Sequence, residues 1–114
     1  MDIQINIEKH DPCTVVHVSG KIDATTSEEL EDTFMDLIGE GETRIILELE
    51  KTSYISSAGL RVLVVVTKQL YDSGMFCLCN TNDNVREIIE MAGFTSFMTI
   101  YDDLETAKQN ITLE

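Results

Sequence analysis

The sharpest constraint on this chain is a change of pattern between residues 44 and 70. Arg44-Ile45-Ile46-Leu47-Glu48-Leu49 is a short run of branched apolar residues with the length of a strand. The block that follows, from Leu60 through Val62, Leu63, Val64, Val65 and Val66 to Leu70, is too long for an ordinary strand. Its Lys68-Gln69 interruption, with Leu70 four residues after Val66, suits a mostly buried helix. The stretch Tyr54-Ile55-Ser56-Ser57-Ala58-Gly59-Leu60 is therefore a joint where a buried strand ends and a long apolar helix begins.

Two serines sit at the mouth of that helix. The first N–H groups of a helix lack intrahelical partners, so Ser56 or Ser57 can accept from them as an N-cap, and negative charge is stabilised at this end. The functional reading is that one hydroxyl is exposed at this anion-tolerant point and accepts a phosphoryl group. Phosphoserine would add a charge of about −1.5 to −2 without melting the helix. Gly59 admits two readings: close approach of a partner backbone, or tight packing of helix on strand.

The remaining chain alternates strand and helix. Ile3, Ile5 and Ile7 alternate with Gln4, Asn6 and Glu8, the period of a strand with one buried face. Asp11-Pro12 makes a turn into Thr14–Val18, an antiparallel partner strand expected to end at Gly20. Thr25, Thr26 and Ser27, followed by Glu28 and Glu29, predict capping boxes on a helix whose buried stripe is Leu30, Phe34, Leu37 and Ile38, closed by Gly39 and Gly41. After the central pair come a strand at Met75–Cys79 and a helix capped by Asn82 with Val85, Ile88, Ile89 and Met91 inward. A short strand at Phe97–Ile100 and a helix from Asp102 to about Asn110 complete the pattern. The order β-β-α-β-α-β-α-β-α predicts an α/β sandwich over residues 1–114, with a mixed, mostly parallel sheet of four to five strands and about four helices. Asp23 follows the second strand and Ser57 the third, so both are expected on one rim of the sheet, where partners of such folds tend to dock.

Charge narrows the partners. The 114 residues carry a formal charge of −13, and residues 1 to 50 hold 13 acids against 3 bases. Nucleic acid and anionic lipid would be repelled at long range, whereas a basic protein surface is well matched. From Asp23 to Glu42 there are eight acids and no Lys or Arg, either a solvated face or a docking face for a basic partner. Residues 1 to 20 lack the apolar core of a signal peptide, and no run approaches a membrane span, so a cytoplasmic, single-domain protein is expected. Cys13, Cys77 and Cys79 have no disulfide-framework spacing, and neither they nor His10 and His17 form a metal-ligand pattern; no metal or cofactor is expected. No phosphate-binding Gly-x-x-x-x-Gly-Lys-Ser/Thr loop or Ser-His-Asp arrangement is present, which argues against an enzyme. Arg61 is the one base near the serines.

Nearly end to end, the chain resembles the STAS domain, and within it the bacterial anti-sigma factor antagonists. Gly20-Lys21-Ile22-Asp23 is similar to the family's Gly-x-Leu-Asp element, Tyr54 to Leu60 to its Asp-Ser-Ser/Thr-Gly-Leu element, and Glu90-Met91-Ala92-Gly93-Phe94 to its late helix ending. The resemblance implies a partner-switching regulator. Unphosphorylated, such a protein binds an anti-sigma factor and frees the sigma factor; an anti-sigma factor that is also a serine kinase phosphorylates and releases it, and a metal-dependent serine phosphatase resets it. Ser57 matches the phosphoacceptor, with Ser56 as fallback, and Asp23 an acidic position on the partner-facing rim. Asp23, Ser56, Ser57, Ala58, Gly59 and Arg61 are accordingly expected to meet the partner. Ser56 stands where the usual pattern has Asp, and Ala58 where it has Ser or Thr. The missing carboxylate is the best argument for an alternative, a STAS-type binding module without a phosphorylation cycle that serves a transporter or signalling scaffold.

Overall fold

The structure, a computed structural model, describes residues 3–112. Strands β1 (Gln4–His10), β2 (Cys13–Ile22), β3 (Arg44–Ile55), β4 (Met75–Cys79) and β5 (Thr99–Tyr101) form a sheet in the order β1-β2-β3-β4-β5. β1 runs antiparallel to β2, and all other neighbours are parallel, as hairpin and crossover connections require. Helices α1 (Ser27–Gly39), α2 (Ser57–Leu70), α3 (Asp83–Met91) and α4 (Leu104–Ile111) supply the crossovers and the C-terminal cover. The mixed sheet with four helices is the expected α/β sandwich.

The two faces are unequal. Leu30, Phe34 and Leu37 of α1, Val62, Leu63 and Val66 of α2, and Val85 and Ile89 of α3 pack on one side, over Val16, Val18, Leu47 and Leu78. The other side holds a smaller cluster in which Ala107 and Ile111 of α4 cover Cys13, Val15, Ile46, Cys77 and Cys79. A strand sealed on both faces buries successive residues without alternation, which is why Ile45–Leu49 of β3 is a continuous buried run, apolar except at Glu48. Burial pushes the Cys77 and Cys79 thiols up to about 12, so these cysteines are inert packing groups.

Several elements differ from expectation, among them β1, whose Ile7 is 45% exposed rather than buried because the strand is outermost in the sheet. β2 does not end at Gly20 but runs on to Ile22, because Gly20 adopts φ 107 beside a register shift against β3 that an L side chain would resist. Similarly, β3 continues past Leu49 to Ile55, held by Thr52, a buried residue whose hydroxyl donates to Val18 C=O at 2.8 Å. Met91 is 82% exposed rather than inward, since two residues beyond buried Ile89 is about 200° around the helix. Phe97 follows a 3-10 turn (Phe94–Ser96) and is exposed ahead of β5, and the last helix starts at Leu104, where the Asp103 carboxylate accepts from Thr106 N–H at 2.7 Å.

On the α4 side, beyond that helix's reach, a polar clamp crosses the hairpin. His17 on β2 bonds Glu8 Oε1 of β1 through Nε2 at 2.8 Å and Glu48 Oε1 of β3 through Nδ1 at 2.9 Å. Only the doubly protonated ring donates to both carboxylates at once. Glu48, buried in the sheet, is completed by Asn80 Nδ2 at 2.8 Å and Glu50 N–H at 2.9 Å. Burial opposes the imidazolium charge, but the bonds to Glu8 and Glu48 outweigh it and raise the His17 pKa. Bonds from His17 and His10 in turn lower Glu8 to about 2.

The signs of these shifts set a pH window. His17 binds its proton more tightly when folded, so its contribution is full below its ordinary value of 6.5 and is lost as pH rises through the raised one. Glu8 is acidified by folding, so its contribution is present above its ordinary 4.5 and fades as pH falls toward 2. Denaturant unfolding across pH should therefore show a stability maximum between these limits. In His17→Gln the loss on the alkaline side should disappear; an unchanged alkaline limb would show that the clamp is not its source.

Candidate functional site

The candidate site is built by the ends of β2 and β3. Lys21 pairs with Tyr54 and Ile22 with Ile55, and Ser56 N–H then donates to Ile22 C=O at 2.8 Å. Asp23 and Ser56 thus leave the sheet side by side, and Ser57 follows as the first residue of α2. The expected rim with Asp23 and Ser57 at adjacent strand ends is present.

Each serine has its own role. Ser56 is extended (φ −92, ψ 176), and its Oγ accepts from Gly59 N–H at 3.3 Å while its C=O accepts from Leu60 N–H at 2.9 Å. It is the N-cap. Ser57 is exposed, and its hydroxyl bonds to nothing among the described residues. The first turn of α2 carries no acid, so its N–H groups favour an incoming anion. Arg61, also exposed, lies one helical turn after Ser57, where an i,i+4 pair shares a face.

Asp23 is locked by its own turn. Its Oδ1 accepts from Thr25 N–H at 2.9 Å, Thr25 Oγ1 at 2.8 Å and Thr26 N–H at 3.1 Å. The Thr25 hydroxyl and N–H hold its pKa below the ordinary carboxylate value against an opposing cost of burial, with lesser help from Thr26. This arrangement replaces the capping boxes expected of Thr25, Thr26 and Ser27. Thr26 is the N-cap of α1 but makes no side-chain cap bond, because its hydroxyl donates to Lys21 C=O at 2.8 Å and accepts from Asp23 N–H at 2.9 Å. Asp23 is thereby a fixed anion rather than a free side chain.

Among the six rim residues expected from sequence, Gly59 alone is buried. A Cβ there would stand 2.7 Å from both Ile22 Cγ2 and Ile55 Cγ1, so the glycine lets α2 sit against the strand ends. Packing of helix on strand, one of its two expected readings, accounts for it. Ala58 is half-buried. Two neighbours were not singled out beforehand: exposed Lys21, a cation, and Tyr54, 41% exposed. Their signal was present in the β2–β3 pairing, which no local pattern reveals. From the next loop, Asn82 Nδ2 donates to Thr52 C=O at 2.9 Å and Asn84 Nδ2 to Ser53 C=O at 3.3 Å, tying α3 to the end of β3. Asn82 also caps α3 as expected, accepting from Val85 N–H at 2.7 Å. Among the described residues, no group of three His, Cys, Asp or Glu is placed to hold a metal, and no helix is long and apolar enough to cross a membrane.

Fold and rim together define a binding domain whose exposed serine opens the central crossover helix. The STAS domain model matches residues 4–107, and the chain belongs to that family. It is 34% identical over 106 residues to BtrV of Bordetella bronchiseptica, across 92% of this chain and 91% of that protein. With the anti-sigma F factor antagonist of Paenibacillus polymyxa it shares 29% identity over 105 residues, 90% of each chain. The crystal structure of an anti-sigma factor antagonist from Mycobacterium paratuberculosis superposes with a TM-score of 0.90 at 25% identity, covering 96% of this chain and 93% of that one.

The division of labour at the helix mouth is measurable by denaturant unfolding. Ser56→Ala should cost about 1 kcal/mol through loss of the cap. Ser57→Ala should stay within about 0.5 kcal/mol, as expected for an exposed group without partners. Gly59→Ala should cost about 1–3 kcal/mol because the added methyl overlaps Ile22 and Ile55. A larger loss at Ser57 than at Ser56 would reverse the assignment.

Proposed function

We propose that this chain is an anti-sigma factor antagonist whose docking surface is the rim formed by Asp23, Ser56, Ser57, Ala58 and Arg61, and that reversible phosphorylation of Ser57 switches it. The observation that carries the reading is the Ser57 hydroxyl, exposed and unbonded at the start of α2, with capping already performed by Ser56. The named function of the Paenibacillus polymyxa relative supports the same partner class. The partner is an anti-sigma factor that doubles as a serine kinase, acting in the cytoplasm, and a metal-dependent serine phosphatase resets the protein.

The mechanism is electrostatic. Unmodified, the rim offers a neutral hydroxyl and packs and hydrogen-bonds with the anti-sigma factor. Phosphoryl transfer from a nucleoside triphosphate held by the kinase forms an O–P bond at Ser57 Oγ as the bond from the γ-phosphorus to the β,γ-bridging oxygen breaks; the nucleoside diphosphate leaves and the hydroxyl proton passes to a base of the kinase. The resulting charge of about −1.5 to −2 rests on the N-terminus of α2 with Arg61 a turn away, so the helix tolerates it. Docking is a different matter. It would desolvate a dianion beside the fixed Asp23 carboxylate, and the partner would be released.

Binding of the anti-sigma factor to Ser57→Asp and Ser57→Ala proteins tests this. Both variants should fold; Ser57→Ala should bind as the parent does and accept no phosphate, and Ser57→Asp should bind about tenfold more weakly or worse. Equal affinities would overturn the switch. Phosphate mapped to Ser56 would move the acceptor by one residue, and an unmodified protein copurifying with transport subunits would favour the scaffold module.

A further inference from the structure

A second surface lies on the open edge of the sheet. Among the described residues β1 is outermost and pairs only with β2, so alternate N–H and C=O groups along its seven residues point away from the sheet with no described strand to meet them. The opposite edge is blunted, since β5 has only three residues. Ile3, just before β1, is buried and Ile5 packs partly into the core, but Ile7, on the same face, is 45% exposed. It opens into a groove of about 400 Å³ against α1, floored by Leu37 and walled by Thr33, Asp36 and Glu40. Lys9 closes one end and is spoken for, reaching Glu40 at 3.4 Å and Glu42 at 3.7 Å.

We infer that β1 accepts an extended, Lys/Arg-bearing segment of a partner protein as an added strand, with an apolar side chain on Ile7 and Leu37 and its cations against the acids of α1. Main-chain bonds to the edge supply the pairing, and the groove reads alternate side chains. Charge selects the occupant. α1 and its C-cap carry Glu28, Glu29, Glu31, Asp32, Asp36 and Glu40 and no base, so a basic strand is drawn in. A second copy of this chain would instead bring another net charge of −13 to the edge. The surface is separate from the Ser57 rim: β1 and α1 both run antiparallel to the strands that end there, which puts Lys9 and Glu40 at the far end of the sheet.

The test uses two synthetic peptides of about seven residues, one alternating valine with arginine and one alternating valine with glutamate, titrated into the isotopically labelled protein. The basic peptide should shift the amides of Ile7 and Asp36, slow hydrogen exchange along β1, and bind less tightly as salt is raised. Asp36→Lys should weaken it by about tenfold or more, and the acidic peptide should bind at least as poorly. Ser57→Asp should leave the binding unchanged, which keeps this outcome independent of the switch. Equal binding of the two peptides, no protection of β1, protection at the Ser57 rim instead, or β1 protection that grows with protein concentration alone would each overturn the assignment.

Discussion

The backbone bond from Ser56 N–H to Ile22 C=O, 2.8 Å long, joins the ends of β2 and β3, and the geometry of the site depends on it. It brings two segments more than 30 residues apart in sequence to leave the sheet together, one turning through Asp23 into α1 and the other through Ser57 into α2. Two local devices make that junction rigid: Gly59, whose missing side chain lets α2 settle on Ile22 and Ile55, and the Asp23 carboxylate, which closes its own turn through Thr25 and Thr26. The hydroxyl of Ser57 is thus carried on a frame that does not need it. Chemistry at that oxygen can alter the surface while the scaffold is held by other groups.

Polar groups inside the sheet follow a related logic. Glu48 is a buried carboxylate on the central strand, which would be costly without partners. His17, Asn80 and the Glu50 N–H satisfy it, and Glu8 completes the charge balance at the exposed side of His17. The clamp spans three strands on the face that α4 leaves uncovered. It permits a wet half and a dry half on one side of the same sheet, with Cys77 and Cys79 sealed in the dry half.

The acidic surplus is distributed with similar economy. Near Ser57 the first turn of α2 has no acid, and Lys21 and Arg61 are exposed close by, so the rim itself is not strongly anionic before modification. The acids of α1 lie instead along a helix that borders the open β1 edge. A charge of −13 therefore means different things at different places on this surface: background repulsion of polyanions, a rim where Asp23 stands among exposed Lys21 and Arg61, and an acid-walled strand edge.

Much of this could be read from residue order, because periodicity and length report burial directly. The continuous run Ile45–Leu49 and the α2 block each name an element and its buried face; the Ile3-Ile5-Ile7 alternation names a strand but not its burial, since Ile7 is 45% exposed on the outermost strand. The strand–helix order then dictates parallel crossovers. Local chemistry also placed the caps at Asn82 and at one of the two serines. What sequence could not reach was anything that depends on two distant segments meeting. Thr26 resembles half of a capping box until Lys21 C=O takes its hydroxyl; Gly20 resembles a stop until β3 draws β2 past it; Gly59 resembles a binding glycine until Ile22 and Ile55 fill the space beside it. Sequence by itself determined the elements, their order and the sign of the surface charge, since each follows from nearest neighbours and composition. Only the tertiary structure decided which serine caps and which faces solvent, and that an isoleucine edge borders an acidic helix, because those are properties of register and packing between strands far apart in the chain.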